Sequence, residues 1–219
     1  MFQIGDVLNS SELTTIREAL ADRNLFEDGR KTAGWAAKAV KDNLQASQSE
    51  LERSLIRKIE SALLAHPTFI SAARPRNLVR TRFSRYEPGM AYGWHTDDAI
   101  IEGARTDLSF TVFLNDPDTY EGGELIIDST EGQSEIKLPA GHAFLYPATT
   151  LHRVKDVTAG VRLVAFGWVR SLIRSHDQRE MLFDLDIATR AVFEREGKSE
   201  TFDRLAKTKA NLLRLWVED

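Results

Sequence analysis

Hydrophobic spacing changes twice along this chain. In the first third it is helical. Asn9-Ser10-Ser11-Glu12 offers an N-cap and an acidic first turn, and Leu13, Ile16 and Leu20 follow at helical intervals. A second helix is predicted from about Gln48 to Ala65, with Leu51, Leu55, Ile56, Ile59, Leu63 and Leu64 on one face, and Pro67 and Pro75 close this part. These helices read as a layer packed on one side of a sheet. From Leu78 the period falls to two: Val79, Thr81 and Phe83 alternate with Arg80, Arg82 and Ser84, as in a half-buried strand. Strand-like runs continue at 108–114, 124–127, 135–138, 142–146 and 161–169, parted by turn signals such as Glu87-Pro88-Gly89, Glu121-Gly122-Gly123 and Pro139-Ala140-Gly141. Many short strands with turns at this spacing predict an antiparallel sandwich or jelly roll.

After Ser171 the pattern is helical again. Asp177–Val192 carries Met181, Leu182, Leu185 and Ile187, and a last helix near Phe202–Val217 carries Leu205, Leu212, Leu213, Leu215 and Trp216. The expected organisation is an α+β chain: an N-terminal helical packing segment (1–77), a jelly roll (78–171) and a C-terminal helical segment (172–219). The apolar stripes of the last segment pack on the barrel or on a second subunit, which leaves a homodimer through these helices open.

Composition narrows the function. A chain of 219 residues with 42% hydrophobic content has enough apolar material for a sizeable core. A net charge of −4 argues against a general nucleic-acid binder. No apolar run is long enough to cross a bilayer, and the start Met1-Phe2-Gln3-Ile4-Gly5-Asp6 has no signal-peptide character, so a soluble cytoplasmic protein is expected. There is no cysteine, so a metal must be held by His, Asp or Glu, which suits iron, manganese or zinc.

Chemistry enters at Tyr92-Gly93-Trp94-His95-Thr96-Asp97-Asp98. A His and a carboxylate two residues apart on a strand share a face. They supply two ligands of a 2-His-1-carboxylate facial triad, which leaves open positions on a non-haem Fe(II). Alone, the pair occurs often by chance. Its third member is best sought at His152, just after the run Phe144–Leu151, where a buried strand reaches a turn at the mouth of a small barrel. Two neutral imidazoles and one carboxylate leave Fe(II) with one residual positive charge, which admits an anionic chelator and then dioxygen. Arg162 stands ten positions after His152 inside the apolar strand Gly160–Trp168. A guanidinium there must be paired, and it suits a bidentate grip on a carboxylate such as one end of a dicarboxylate co-substrate.

From about Leu78 to Ser171 the chain resembles the prolyl-4-hydroxylase-type Fe(II)/2-oxoglutarate dioxygenases. The resemblance is carried by Arg85-Tyr86-Glu87-Pro88-Gly89, His95-Thr96-Asp97, Thr111-Val112-Phe113-Leu114-Asn115, Gly122-Gly123-Glu124-Leu125, Pro139-Ala140-Gly141, Leu151-His152-Arg153-Val154 and Gly160-Val161-Arg162. Within that superfamily the whole chain is similar to the bacterial PKHD-type hydroxylases, through Arg170–Arg174 and Gln178–Asp186. The resemblance implies a double-stranded β-helix in which His95, Asp97 and His152 bind Fe(II), Arg162 binds the distal carboxylate of 2-oxoglutarate, and the Tyr86 phenol lies near that co-substrate. It also implies O2-dependent hydroxylation with release of succinate and CO2, and ascorbate as an accessory that rescues oxidised iron. The substrate it implies is a peptidyl proline or lysine, and a small molecule linked to iron uptake is as credible.

The remaining candidates read as structural. Asp98 should point away from Asp97, as a solvated or turn-forming residue. His142 opens a strand, His66 is a surface or capping residue at a helix end, and His176 lies beyond the barrel. Trp94 and Trp168 read as core or pocket wall, and Gly122-Gly123 as a turn. The basic run Arg74, Arg76, Arg80, Arg82 and Arg85 reads as a solvated strand face, with attraction of an anionic substrate by Arg80 and Arg82 as the weaker alternative. An iron halogenase is rejected because Asp97 occupies the position that such enzymes leave free for halide. A catalytically silent jelly roll acting as a metal or 2-oxoglutarate sensor or interaction module is the rival from another class.

Overall fold

The computed structural model describes residues 1–35 and 37–218. The helix α1 (Ser10–Ala19) begins on a reciprocal capping box: the Asn9 side chain accepts from the Glu12 N–H, and the Glu12 carboxylate accepts from the Asn9 N–H. Ser49 caps α2 (Glu50–Ala65). This helix buries the strip Leu55, Ile59 and Leu63. Leu51 and Leu64, expected on the same stripe, lie at its flanks and are exposed. Pro67 does not close this part. It opens a third helix, α3 (Pro67–Ala73), at a first-turn position where a missing N–H costs nothing. His66 joins the two helices without a side-chain capping bond.

The segment before residue 78, read as helical, also contributes four short strands: β1 (Phe2–Ile4), β2 (Phe26–Asp28), β3 (Lys41–Asp42) and β4 (Leu44–Ala46). The later strands begin with β5 (Pro75–Tyr86), β6 (Ala91–His95), β7 (Ile100–Ile101), β8 (Ala104–Arg105), β9 (Leu108–Phe113) and β10 (Tyr120–Gly122), of which β7 and β8 pair as a ribbon of their own. The rest are β11 (Leu125–Ser129), β12 (Gly132–Ile136), β13 (Ala143–Pro147), β14 (His152–Val154), β15 (Val157–Gly160) and β16 (Arg162–Ser171). Among the described residues seven strands form a major sheet in the order β1-β13-β9-β16-β5-β4-β2, and five form a minor sheet, β12-β11-β14-β6-β3. All pairings are antiparallel. The two sheets face each other as a jelly roll. The chain passes from one to the other at Asn43, between β3 and β4, and so closes one side of the barrel.

Alternation along the strands sorts residues into two cores. Phe83, Phe110, Val112, Leu145 and Ala165 point outwards and pack with Leu55, Ile59, Leu63 and Phe69 of the helical layer. Phe113, Phe144, Tyr146 and Val164 point inwards and meet Leu125, Ile127 and Val154 of the minor sheet. The expected alternation on β5 is broken at Arg80, which has φ +47°. There β5 takes one extra residue against β16, since Val79 pairs with Trp168 and Arg82 with Phe166. Beyond this bulge Thr81 through Ser84 are all buried, because helices cover one face and the barrel the other.

The basic run is therefore not a solvated face. Arg74 is tied to Asp186, which also accepts from the Ser71 hydroxyl and pairs with Lys209 at 2.9 Å. That carboxylate fastens α3 to α4 (His176–Glu196) and α5 (Glu200–Trp216). Arg82 is buried, and only Arg76 and Arg80 are exposed. The α4–α5 pair stacks through Phe193 and Phe202, with ring centroids 5.0 Å apart.

Candidate metal and co-substrate site

His95 ends β6 and His152 opens β14, and the two are direct partners across that strand pair, with ring centroids 4.2 Å apart. Asp97 is not on a strand, as its spacing suggested. It lies two residues past the end of β6, and the turn still returns its carboxylate to the histidines: Asp97 Oδ1 is 3.9 Å from His152 Nε2. One donor atom from each of His95, Asp97 and His152 lies within 4.8 Å of the others. Asp98 is exposed and outside this cluster, as expected.

The three side chains are oriented by their surroundings. His95 Nδ1 bonds the Gly93 carbonyl at 2.8 Å, and His152 Nδ1 bonds the Thr150 carbonyl at 2.9 Å. A carbonyl only accepts, so each ring carries its proton on Nδ1 and turns the Nε2 lone pair to the cluster. The Ser109 hydroxyl donates to Asp97 Oδ2 and fixes the carboxylate. Burial first, and the neighbouring His152 second, push His95 down to about 3, so its ring is neutral near pH 7. Tyr92 stacks on His95 at 3.6 Å and Tyr146 meets His152 edge-on at 5.2 Å, which shields both rings. Two imidazoles with inward lone pairs and one anchored carboxylate fit a divalent transition metal with open positions.

Arg162 faces the same cavity and is 2% exposed. It sits opposite Tyr86 across β16 and β5, with its guanidinium carbon 5.1 Å from the Tyr86 ring centre and 5.6 Å from that of Phe113. Among the described residues no carboxylate pairs with it, and its Nε has no hydrogen-bond partner. Burying a charge in this way is costly unless an anion completes it. Gly123 reads in the sequence as part of a turn and does lie at φ +67°. Its lack of a side chain also makes room: a Cβ there would stand 2.9 Å from Arg162 Cδ. His142, His66 and His176 take no part in the cluster. Trp168 lines the cavity wall, as expected of it.

Comparison with known proteins agrees with this geometry. The sequence profile of the 2OG-Fe(II) oxygenase superfamily matches residues 81–170, which include all four of these side chains. That of the PKHD-type hydroxylase C-terminal domain matches 177–218. A PKHD-type hydroxylase of Acaryochloris marina is 50% identical over 216 residues, 98% of each chain. The chain belongs to the PKHD-type hydroxylases.

Solved structures extend the likeness at the level of fold. A Pseudomonas putida prolyl-4-hydroxylase superposes with a TM-score of 0.57 at 18% identity, over 78% of this chain and 91% of that one. A Trichoplax adhaerens prolyl hydroxylase, solved with a hypoxia-inducible-factor peptide, gives 0.60 at 16% identity, over 83% and 86%. The PKHD-type hydroxylase described here is thus an Fe(II)- and 2-oxoglutarate-dependent dioxygenase on a jelly roll, and the silent-module reading is set aside. Among the described residues no helix is long and apolar enough to cross a membrane.

Several residues of the site escaped the sequence reading. Ser109 alternates with Leu108 and Phe110 in a wholly buried strand, and a lone hydroxyl at an inward position was the available signal. Tyr92, three residues before His95, lies off the two-residue spacing that marks the metal-binding pair. Lys41 gave no signal at all, since its strand is two residues long.

Proposed function

We propose that His95, Asp97 and His152 hold one Fe(II), and that Arg162, with Tyr86 beside it, grips the distal carboxylate of 2-oxoglutarate. The observation that carries this reading is a buried guanidinium without an acidic partner in the cavity that also receives the three metal-binding donors. When bound, iron and 2-oxoglutarate supply the oxidising chemistry, with O2 consumed and succinate and CO2 released as substrate carbon is hydroxylated. The chain's own work is to bind, orient and exclude water. Ser109 and the carbonyls of Gly93 and Thr150 hold the donors in place. Phe113, Tyr86 and Tyr146, all buried, keep the co-substrate end dry, where an arginine–carboxylate contact is strongest.

Three further elements belong to this reading: ascorbate as the reductant that restores oxidised iron, a cytoplasmic setting, and a homodimer through the C-terminal helices, where Met181, Ile187, Phe193 and Leu215 are exposed. Substrate-stimulated succinate release tests the function. It is screened across prolyl and lysyl peptides, free amino acids and siderophore-like small molecules. One class should raise release above the background rate. Absence of any Fe(II)-dependent consumption of 2-oxoglutarate would contradict the reading.

A further inference from the structure

We infer that the primary substrate carries an oxyanion, a carboxylate or a phosphate, which seats between Lys41 and Arg82. This rests on the functional reading above and gives that site its substrate class. Both residues line the cavity that receives the three metal-binding donors, and they are 7% and 8% exposed. Lys41 reaches its place because β3 pairs with β6, Lys41 opposite Tyr92, whose ring stacks on His95. Arg82 reaches its place through the bulge at Arg80, which sets its side chain on the barrel face.

Lys41 has no acidic partner among the described residues, and Arg82 has one long contact to an acid. Lys41 Nζ donates to the Thr32 hydroxyl at 3.2 Å and lies 5.2 Å from the centre of the Tyr92 ring, both neutral partners. Among the described residues it forms no ion pair. Arg82 donates one bond to the Ala46 carbonyl at 2.8 Å. Its nearest acid is Glu52, at 3.8 Å, and neither Arg82 Nε nor Glu52 Oε1 has a hydrogen-bond partner. Trp168 adds a third buried donor on the same cavity, its indole Nε1 also without a partner. Three buried donor groups against one acid, held at 3.8 Å and not hydrogen-bonded, describe an oxyanion seat.

The seat is separate from the co-substrate arginine. Arg82 pairs with Phe166, and Tyr86 with Arg162, four positions along the same strands. At strand rise that is about 13 Å between the two arginine positions. Arg162 faces one end of the cavity, while Lys41 stands beside Tyr92 and His95. A substrate anchored by its oxyanion at Lys41 and Arg82 would present a neighbouring C–H to the metal. Such a seat favours a small acid over an internal prolyl residue, whose neutral backbone offers no charge.

The test uses the full chain, held anaerobically with Fe(II) and saturating 2-oxoglutarate, and titrates acetate, inorganic phosphate and acetamide by calorimetry. At least one anion should bind saturably at one site, acetamide should not, and the visible band of the iron–keto-acid chelate should persist. The acetate and phosphate arms identify which oxyanion the seat prefers. Lys41→Met and Arg82→Met should each weaken anion binding at least tenfold and keep the band, and Arg82→Lys should restore most of the affinity. Four results would overturn the proposal: no saturable anion binding, equal binding of acetamide, loss of the band on anion addition, or unchanged affinity in both Met variants. If wild type never forms the band, the functional reading fails, and the same titration of the metal-free protein still decides the seat.

Discussion

Arg162 and Arg82 are buried on one cavity, yet the fold treats them differently. Arg162 is framed by two aromatic rings and by Gly123, and its place is set inside the central β5–β16 pair. Arg82 owes its position to a bulge, and its companion Lys41 comes from a two-residue strand far away in sequence. One end is made by the regular, unbulged stretch of the β5–β16 pair. The other joins the bulged part of that strand pair to Lys41, on the N-terminal crossing from β3 to β4. The shared chemistry sits at the first end, and substrate choice at the second.

The largest expected break of this comparison lies between the two ends. His152→Ala removes one of three donors, so Fe(II) affinity should fall by about 100-fold or more, beyond the effect of losing an outer partner. Metal content after anaerobic loading measures this, and anion binding at Lys41 in the metal-free protein should survive. A smaller effect belongs to Gly123→Ala. The added Cβ would press on Arg162 Cδ at 2.9 Å from a residue held at φ +67°. The backbone strain should cost about 1–2 kcal/mol of stability, or roughly 2–8 °C in Tm. Displacement of the guanidinium should weaken 2-oxoglutarate roughly tenfold while iron binding holds. A normal co-substrate affinity in that variant would show that Gly123 serves the turn alone.

The smallest effect is in pH. Burial first, and the Arg82 guanidinium second, push Lys41 down to about 8, while Asp28 and Asp97 act in the opposite sense. The charged form binds the oxyanion, so affinity should be full below pH 8 and fall as pH rises through that value, by up to about tenfold per unit. Lys41→Met should flatten the profile, and a slope that persists in that variant would assign the titration to another group.

The sequence disclosed the first end far better than the second. His95, Asp97, His152 and Arg162 were legible because a spacing of two on a strand and a charge inside an apolar run have few structural explanations. The barrel strands were legible from period two, and α1 from its capping box. The segment 26–46 was not, since strands of two or three residues carry no period and are held by distant partners, as Gln45 is by Ser84 and Lys41 by Tyr92. Arg82 was misread because a cation alternating with apolar residues normally faces solvent. Here a bulge and a second packed layer bury it. Pro67 was misread because a proline ends one helix and starts another with equal ease.

In the proposed function one cavity pairs an iron site with an arginine that selects 2-oxoglutarate. The direct measurement is an anaerobic titration of the Fe(II) protein with 2-oxoglutarate, followed at the visible absorption of the iron–keto-acid chelate, in wild type and in Arg162→Ala. The wild type should develop the band with one metal per chain. The variant should keep its iron and need at least about 30-fold more co-substrate, the lower bound for removing one partner of a buried charge pair. Equal affinity in the two proteins, or no band in the wild type, would contradict the account.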